Sequence, residues 1–243
     1  MFYRRNKIPR VKYPHIYLVV LAIIWLGLYL DGLHQAHQTY TTTIVIMAFV
    51  WVYYFASKPI KQLMLFGLIV ALMGEIVFAL ILGMYTYRLD NIPIYVPFGH
   101  ALIYASVYYL VKEPLILKHK KKIIMFLYYS MILYSTLWLI FANDVLGFTC
   151  MLVILAVFKR YAYTKLFFLF MFFFVVYLEL LGTYYGCWSW PPIWFDKFSL
   201  FISANPPSGI SVFYFGFDAG CLWFYKHYNK ERWRRIRKLR VRG

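Results

Sequence analysis

Apolar residues run along the chain in long blocks, and the polar positions fall between them. Eight blocks can be marked, at about 15–31, 41–57, 62–84, 98–112, 123–142, 144–158, 165–184 and 209–226. A helix needs roughly 17–25 apolar residues to cross a bilayer, and several blocks stand near the short end of that range. The pattern predicts an all-α polytopic membrane protein with about eight transmembrane helices. The fifth and sixth blocks are separated only by Ala142, Asn143 and Asp144, which predicts a tight helical hairpin with Asp144 as N-cap. All ten prolines lie outside or at the edges of the blocks. The helices are therefore expected to be continuous, unlike the broken helices of many secondary transporters.

Charge adds an orientation. Only 14% of the 243 residues are charged, against 63% apolar and 23% aromatic, where a soluble domain carries about 25% charged. No polar segment is long enough to bury a core of its own, so residues 1–243 read as one integral membrane domain. Of the 26 Lys and Arg, five precede the first block, two lie in the second connection, five in the fourth, three in the sixth and nine from Lys226 onward. Only Arg88 and Lys197 fall on the other side. The positive-inside rule then places both termini in the cytoplasm. The net charge of +17 is spread as topology requires, and nucleic-acid binding is not expected. The basic cytoplasmic tail, 227–243, reads as an anchor for anionic lipid headgroups at the inner leaflet.

No cleavable signal peptide is evident. The compact, Lys-rich chain without eukaryotic sorting signals points to the inner (cytoplasmic) membrane of a bacterium. The three cysteines, Cys150, Cys187 and Cys221, are odd in number and widely spaced. They suit neither a disulfide framework nor a CxxC metal site and read as free, buried thiols.

An internal match organises the candidate chemistry. Lys61 precedes Glu75 by fourteen residues, and Lys165 precedes Glu179 by fourteen. Each Lys marks the cytoplasmic start of its helix, which puts both carboxylates roughly 21 Å in, toward the outer face. Gly83, Tyr85 and Tyr87 follow in one copy and Gly186, Trp188 and Trp190 in the other, and both copies end on Pro-x-Gly, at Pro97–Gly99 and Pro207–Gly209. Four helices separate the copies, which predicts a parallel 4+4 repeat with halves at about 15–112 and 123–226.

An intramembrane carboxylate is costly and normally faces the protein interior or water. Glu75 and Glu179 are the candidate acids: two carboxylates in one cavity can act as proton donor and anion. The bland alternative is a hydrogen-bonded Glu that locks helix packing. His100, just inside the fourth helix, and Asn205, in the long loop before the eighth, are candidate positioning groups on the same side. Tyr85, Tyr87, Trp188 and Trp190 are the candidate substrate-binding residues, as π faces over an apolar ligand or a cation; an interfacial aromatic belt is the alternative. Asp31, His34 and His37, three apart, are candidates for a metal site if they share a helical face. Asp218 lies deeper, within the GxxxG of Gly216 and Gly220, more often a packing face than a site. There is no Walker, GxSxG, HExxH or dinucleotide-binding motif, and no cofactor is expected.

The intramembrane Glu75, the Gly83–Tyr87 segment and the Ile92–Pro97 stretch leading into a helix together resemble the polytopic membrane proteins of carotenoid biosynthesis, the carotenoid hydratases and small bacterial lycopene cyclases. The Pro-x-Glu-Glu/Asp-x-x-Phe-Phe signature of the cyclases is absent, since Met73 and Gly74 precede Glu75. The resemblance implies acid-initiated hydration or cyclisation of a polyene: a buried acid protonates a double bond, aromatic faces stabilise the cation, and water or an internal double bond quenches it.

The sequence thus leads to a membrane enzyme doing acid–base chemistry on an isoprenoid or other lipid, with an apolar small molecule and membrane lipids as partners. Proton-coupled transport and a non-catalytic membrane subunit are the alternatives. The oligomeric state is open.

Overall fold

A backbone inside lipid has no water to bond, so its N–H and C=O groups must be paired within the segment, and a helix does this. The computed structural model describes residues 15–195 and 197–230. Among them, eight long helices follow the eight apolar blocks: α1 (Ile16–Leu33), α2 (His37–Phe55), α3 (Lys58–Glu75), α4 (Tyr95–Leu110), α6 (Lys120–Ala142), α7 (Val145–Arg160), α8 (Lys165–Tyr184) and α9 (Ser211–Tyr228). A short α5 (Pro114–Lys118) lies in the connection between α4 and α6. The basic N-terminus, most of the basic tail and Asp196 lie outside the described residues.

Four stretches are long and apolar enough to cross a membrane: Ile16–Leu33, Lys58–Ile81, Lys120–Ala142 and Ala162–Tyr184. The other four long helices fall short for local reasons. Helices α4 and α7 have 16 residues each, α2 opens on the polar run His37–Thr43, and α9 carries Asp218 and Lys226. Helix α6 shows what surrounds the bundle. Of its 23 residues only Met131 and Ser135 are buried, while Phe126, Leu133, Ile140 and Phe141 stand exposed. So continuous an apolar face is a contact for lipid rather than water.

The helices pack α1 on α2 and α4, α3 on α4, α6 on α7 and α8, and α8 on α9. Across the molecule α3 meets α9 and α4 meets α8. Met131 of α6, Met151, Ile154 and Phe158 of α7, and Leu169 and Phe172 of α8 are fully buried. The loops at one end are tied together by a two-stranded ribbon in which β1 (Thr86–Tyr87) pairs antiparallel with β2 (Trp188–Ser189). A hairpin of β3 (Ile193–Trp194) and β4 (Phe198–Ile202) follows, with β4 lying against α7.

The helix of the third block runs unbroken over Lys58–Ile81 but is not uniform. It changes from α to π immediately after Glu75, over Ile76–Ile81. The sequence holds no proline there to announce the change. The wider turn ends where the Met84 N–H bonds Phe78 O (2.8 Å) and Gly83 takes φ +59°. Helix α8 ends in the same way without a π turn. Gly186 has φ +68°, and the Cys187 N–H bonds Gly182 O (2.8 Å), closing a Schellman motif. Without a Cβ, both glycines adopt the left-handed conformation that turns the chain back toward the bundle.

The Ala142–Asp144 hairpin forms as expected. Asn143 is left-handed (φ 52°), and Asp144 Oδ1 accepts the Gly147 N–H at 3.0 Å as N-cap of α7. The same buried carboxylate also accepts the N–H groups of Ala204 (3.2 Å) and Ser208 (2.7 Å), and so fixes the segment that leads into α9. Asp144→Ala strands three backbone donors at once. It is expected to lower the stability of the detergent-solubilised protein by about 3 kcal/mol, given 1–3 kcal/mol for an unsatisfied buried group. Thermal unfolding against wild type measures this.

Candidate functional site

Glu75 is the last α-helical residue of α3, and Glu179 lies one turn from the end of α8. Their side chains are 3% and 4% exposed, so each must find hydrogen-bond donors inside the protein. The returning loops supply them. Oε2 of Glu75 accepts the hydroxyls of Tyr85 (2.6 Å) and Tyr87 (2.7 Å). Oε2 of Glu179 accepts the indole N–H groups of Trp188 (2.8 Å) and Trp190 (3.1 Å). The strand period of two puts the first and third residues on one side of the ribbon, which is why each acid takes a pair spaced by two.

The remaining oxygens face the fourth and ninth helices. Oε1 of Glu75 lies 3.2 Å from His100 Nε2 on α4, and Oε1 of Glu179 accepts the Tyr214 hydroxyl on α9 at 3.0 Å. His100 and Tyr214 stack with ring centroids 4.7 Å apart. Tyr85 meets Trp190 at 4.7 Å and Tyr87 meets Trp188 at 6.1 Å. The two acids therefore belong to one network, joined by the ribbon through Oε2 and by the stacked rings through Oε1.

Both carboxylates and all six of their partners line one cavity. Its volume is about 80 Å³, counted over positions a water centre can take, where a single water needs roughly 10–15 Å³. Aliphatic side chains also line it, among them Val20 and Ile24 of α1 and Val45 of α2. No Lys or Arg of the described residues reaches it. Burial, and next the Glu75 carboxylate, push the Tyr85 and Tyr87 phenols above their ordinary range, so both remain donors. An indole N–H can only donate. In each acid Oε2 is thus held by two donors, and a transferable proton belongs on Oε1.

The other expected site residues are placed elsewhere. Asn205 is exposed, and its Oδ1 accepts the Trp190 backbone N–H at 3.0 Å. It holds the loop and does not line the cavity. Asp31, His34 and His37 do not share a helical face: α1 ends at Leu33, His34 is extended, and His37 opens α2. Asp31 is occupied by Arg88 (3.0 Å) and the Tyr95 hydroxyl (2.8 Å). Among the described residues no group of three His, Cys, Asp or Glu is placed to hold a metal. The three cysteines are free and buried.

Tyr214 is the site residue the sequence reading missed. It stands seven residues after Pro207 where His100 stands three after Pro97. The difference of four is about one helical turn, so the two occupy the same face of their helices. Gly182 carries a further signal: a Cβ there would overlap the Trp188 indole. No protein-family model, curated protein or solved structure matches this chain, so the geometry carries the functional reading.

Tyr85→Phe and Tyr87→Phe each remove one hydroxyl donor from Glu75 while keeping the ring. Each is expected to destabilise the folded protein by about 1 kcal/mol, the usual net contribution of one hydrogen bond between neutral groups. The double variant is expected to cost more than the sum, since either hydroxyl alone still bonds the shared oxygen and only the loss of both strands it. Thermal unfolding of the three variants in detergent measures both effects.

Proposed function

We propose that this chain is a multi-pass membrane enzyme that performs acid–base chemistry on an isoprenoid or another apolar lipid. The observation that carries this reading is the shared cavity, in which two buried carboxylates each keep one oxygen anchored and one turned to a proton-bearing ring. An aliphatic wall suits a substrate drawn from lipid, and the aromatic faces beside the acids suit a cationic intermediate. This is the chemistry that the resemblance to carotenoid hydratases and cyclases implies.

In this reading Glu75 is the acid, because His100 can refill its Oε1. The Glu75 proton passes to one carbon of a substrate double bond and leaves a carbocation on the other. Glu179 faces that cation as the anion. Water, or a second double bond of the same substrate, then closes on the cation, and the proton released in that step returns to a carboxylate.

The finer architecture belongs to the same proposal. All eight long helices cross the membrane, both termini are cytoplasmic, and the membrane is the cytoplasmic membrane of a bacterium. The charge distribution supports this orientation. The chain is a parallel 4+4 repeat. In its support, the four long apolar stretches are the first and third helices of each half, α3 with α9 corresponds to α8 with α4, and each acid is bound by residues 10 and 12 or 9 and 11 positions later.

The test is mass spectrometry of lipids from cells with and without the protein, and with Glu75→Gln and Glu179→Gln at equal levels. The expected result is a lipid shifted by the mass of water, or converted to an isomer. Its formation should drop about 100-fold or more in Glu75→Gln, the lower range for loss of a general acid. An identical lipid profile with both variants folded would contradict the enzyme reading and direct the two acids to a proton-coupled uptake assay.

A further inference from the structure

Three buried acids lie outside the network around the two glutamates, and two of them, Asp31 and Asp144, are held by hydrogen bonds already described. Asp218 on α9 is 5% exposed, and its Oδ2 has no hydrogen-bond partner among the described residues. A buried carboxylate oxygen without a donor is rare in folded proteins and costly. It lines a second cavity with about 20 Å³ open to a water centre, enough for one water at roughly 10–15 Å³. The small residues Gly67 and Ala71 of α3 leave this space open.

The second cavity shares His100, Ile103, Tyr214 and Phe217 with the first. The His100 imidazole is thus a wall between the two, with Nε2 engaged by Glu75 and Nδ1 as its second proton-carrying atom. Tyr214 and Asp218 are four apart on α9 and lie on one face of it. The other groups around Asp218 that can carry a proton are His100 and Tyr104 from α4 and Tyr214 and Cys221 from α9. Helices α3 and α8 bring only Gly67, Ala71 and Met171. Among the described residues no basic side chain lines this cavity to pair with the carboxylate, so an ion pair with them does not account for it.

We infer that Asp218 is a proton store for the site, acting on Glu75 through one bridging water and His100. The inference rests on the enzyme reading for its purpose but not for its chemistry. When Glu75 gives up its proton, His100 passes the Nε2 proton to Oε1. Nδ1 then takes a proton from the bridging water, which takes one from Asp218. The imidazole stays neutral, having exchanged one tautomer for the other, and Asp218 is left ionised until it is reloaded. Asp218 does not touch the substrate; it sets how fast Glu75 is restored.

Infrared spectroscopy of the full chain in lipid nanodiscs, in H2O and in D2O, tests this without any substrate. The expected result is a protonated-carboxyl band that shifts in D2O and disappears in Asp218→Asn. In protein that keeps Asp218, the same band should move in both Glu75→Gln and His100→Phe, because each alters the chain of hydrogen bonds. Carboxyl bands unchanged in Asp218→Asn would overturn the inference, as would an Asp218 band indifferent to both Glu75→Gln and His100→Phe. In the lipid assay Asp218→Asn should slow conversion about tenfold or more, and Asp218→Glu should restore both band and rate. The two readings fail separately. A coupled Asp218 band without lipid conversion keeps the proton store and sinks the enzyme reading. Conversion that needs Glu75 but not Asp218 does the reverse.

Discussion

Two carboxylates held inside an apolar bundle must be given hydrogen-bond donors, and this requirement shapes one whole end of the molecule. Each acid is reached by a chain that leaves its helix, turns on a left-handed glycine and comes back within nine to twelve residues. The donors are phenols and indoles, which bring an N–H or O–H on a large apolar body and so satisfy the acid without admitting a charge. Ser or Lys at these positions would leave space for water or add a second charge to desolvate.

Satisfying both acids by loops also ties the segment after α3 to the segment after α8. The returning segments pair as the β1–β2 ribbon, which puts Tyr87 opposite Trp188. On the bundle side the two oxygens left over meet at the stacked rings of His100 and Tyr214. A displacement at one acid therefore has two routes to the other. The residues of both routes line the cavity, together with aliphatic side chains of α1 and α2. Beneath it, His100 and Tyr214 also form the roof over Asp218, so three buried acids are arranged around two rings.

Much of this was legible in the chain. The eight apolar blocks, the Ala142–Asp144 turn, both glutamates, His100 and the four loop aromatics follow from hydropathy, capping and spacing, and these signals are local. What was not legible depends on tertiary contact. The π turn after Glu75 carries no Pro or Gly to mark it. Asn205 looked like a site residue because it is polar and near, yet its partner is a backbone N–H on its own loop. Asp31, His34 and His37 look like a ligand set only if one helix carries all three, and α1 ends among them. Tyr214 sits among many aromatics, and its phase against Pro207 becomes meaningful only once α9 is known to face Glu179.

The central claim is that Glu75 and Glu179 are two members of one network rather than two separate packing acids. A double-mutant cycle on unfolding of the detergent-solubilised protein, with Glu75→Gln, Glu179→Gln and the pair, measures this most directly. Residues in one network couple by about 0.5–3 kcal/mol, while independent sites add within about 0.3–0.5 kcal/mol. The account predicts coupling above about 0.5 kcal/mol that falls when His100 and Tyr214 are both replaced by Phe. Additive effects of the two substitutions would contradict it.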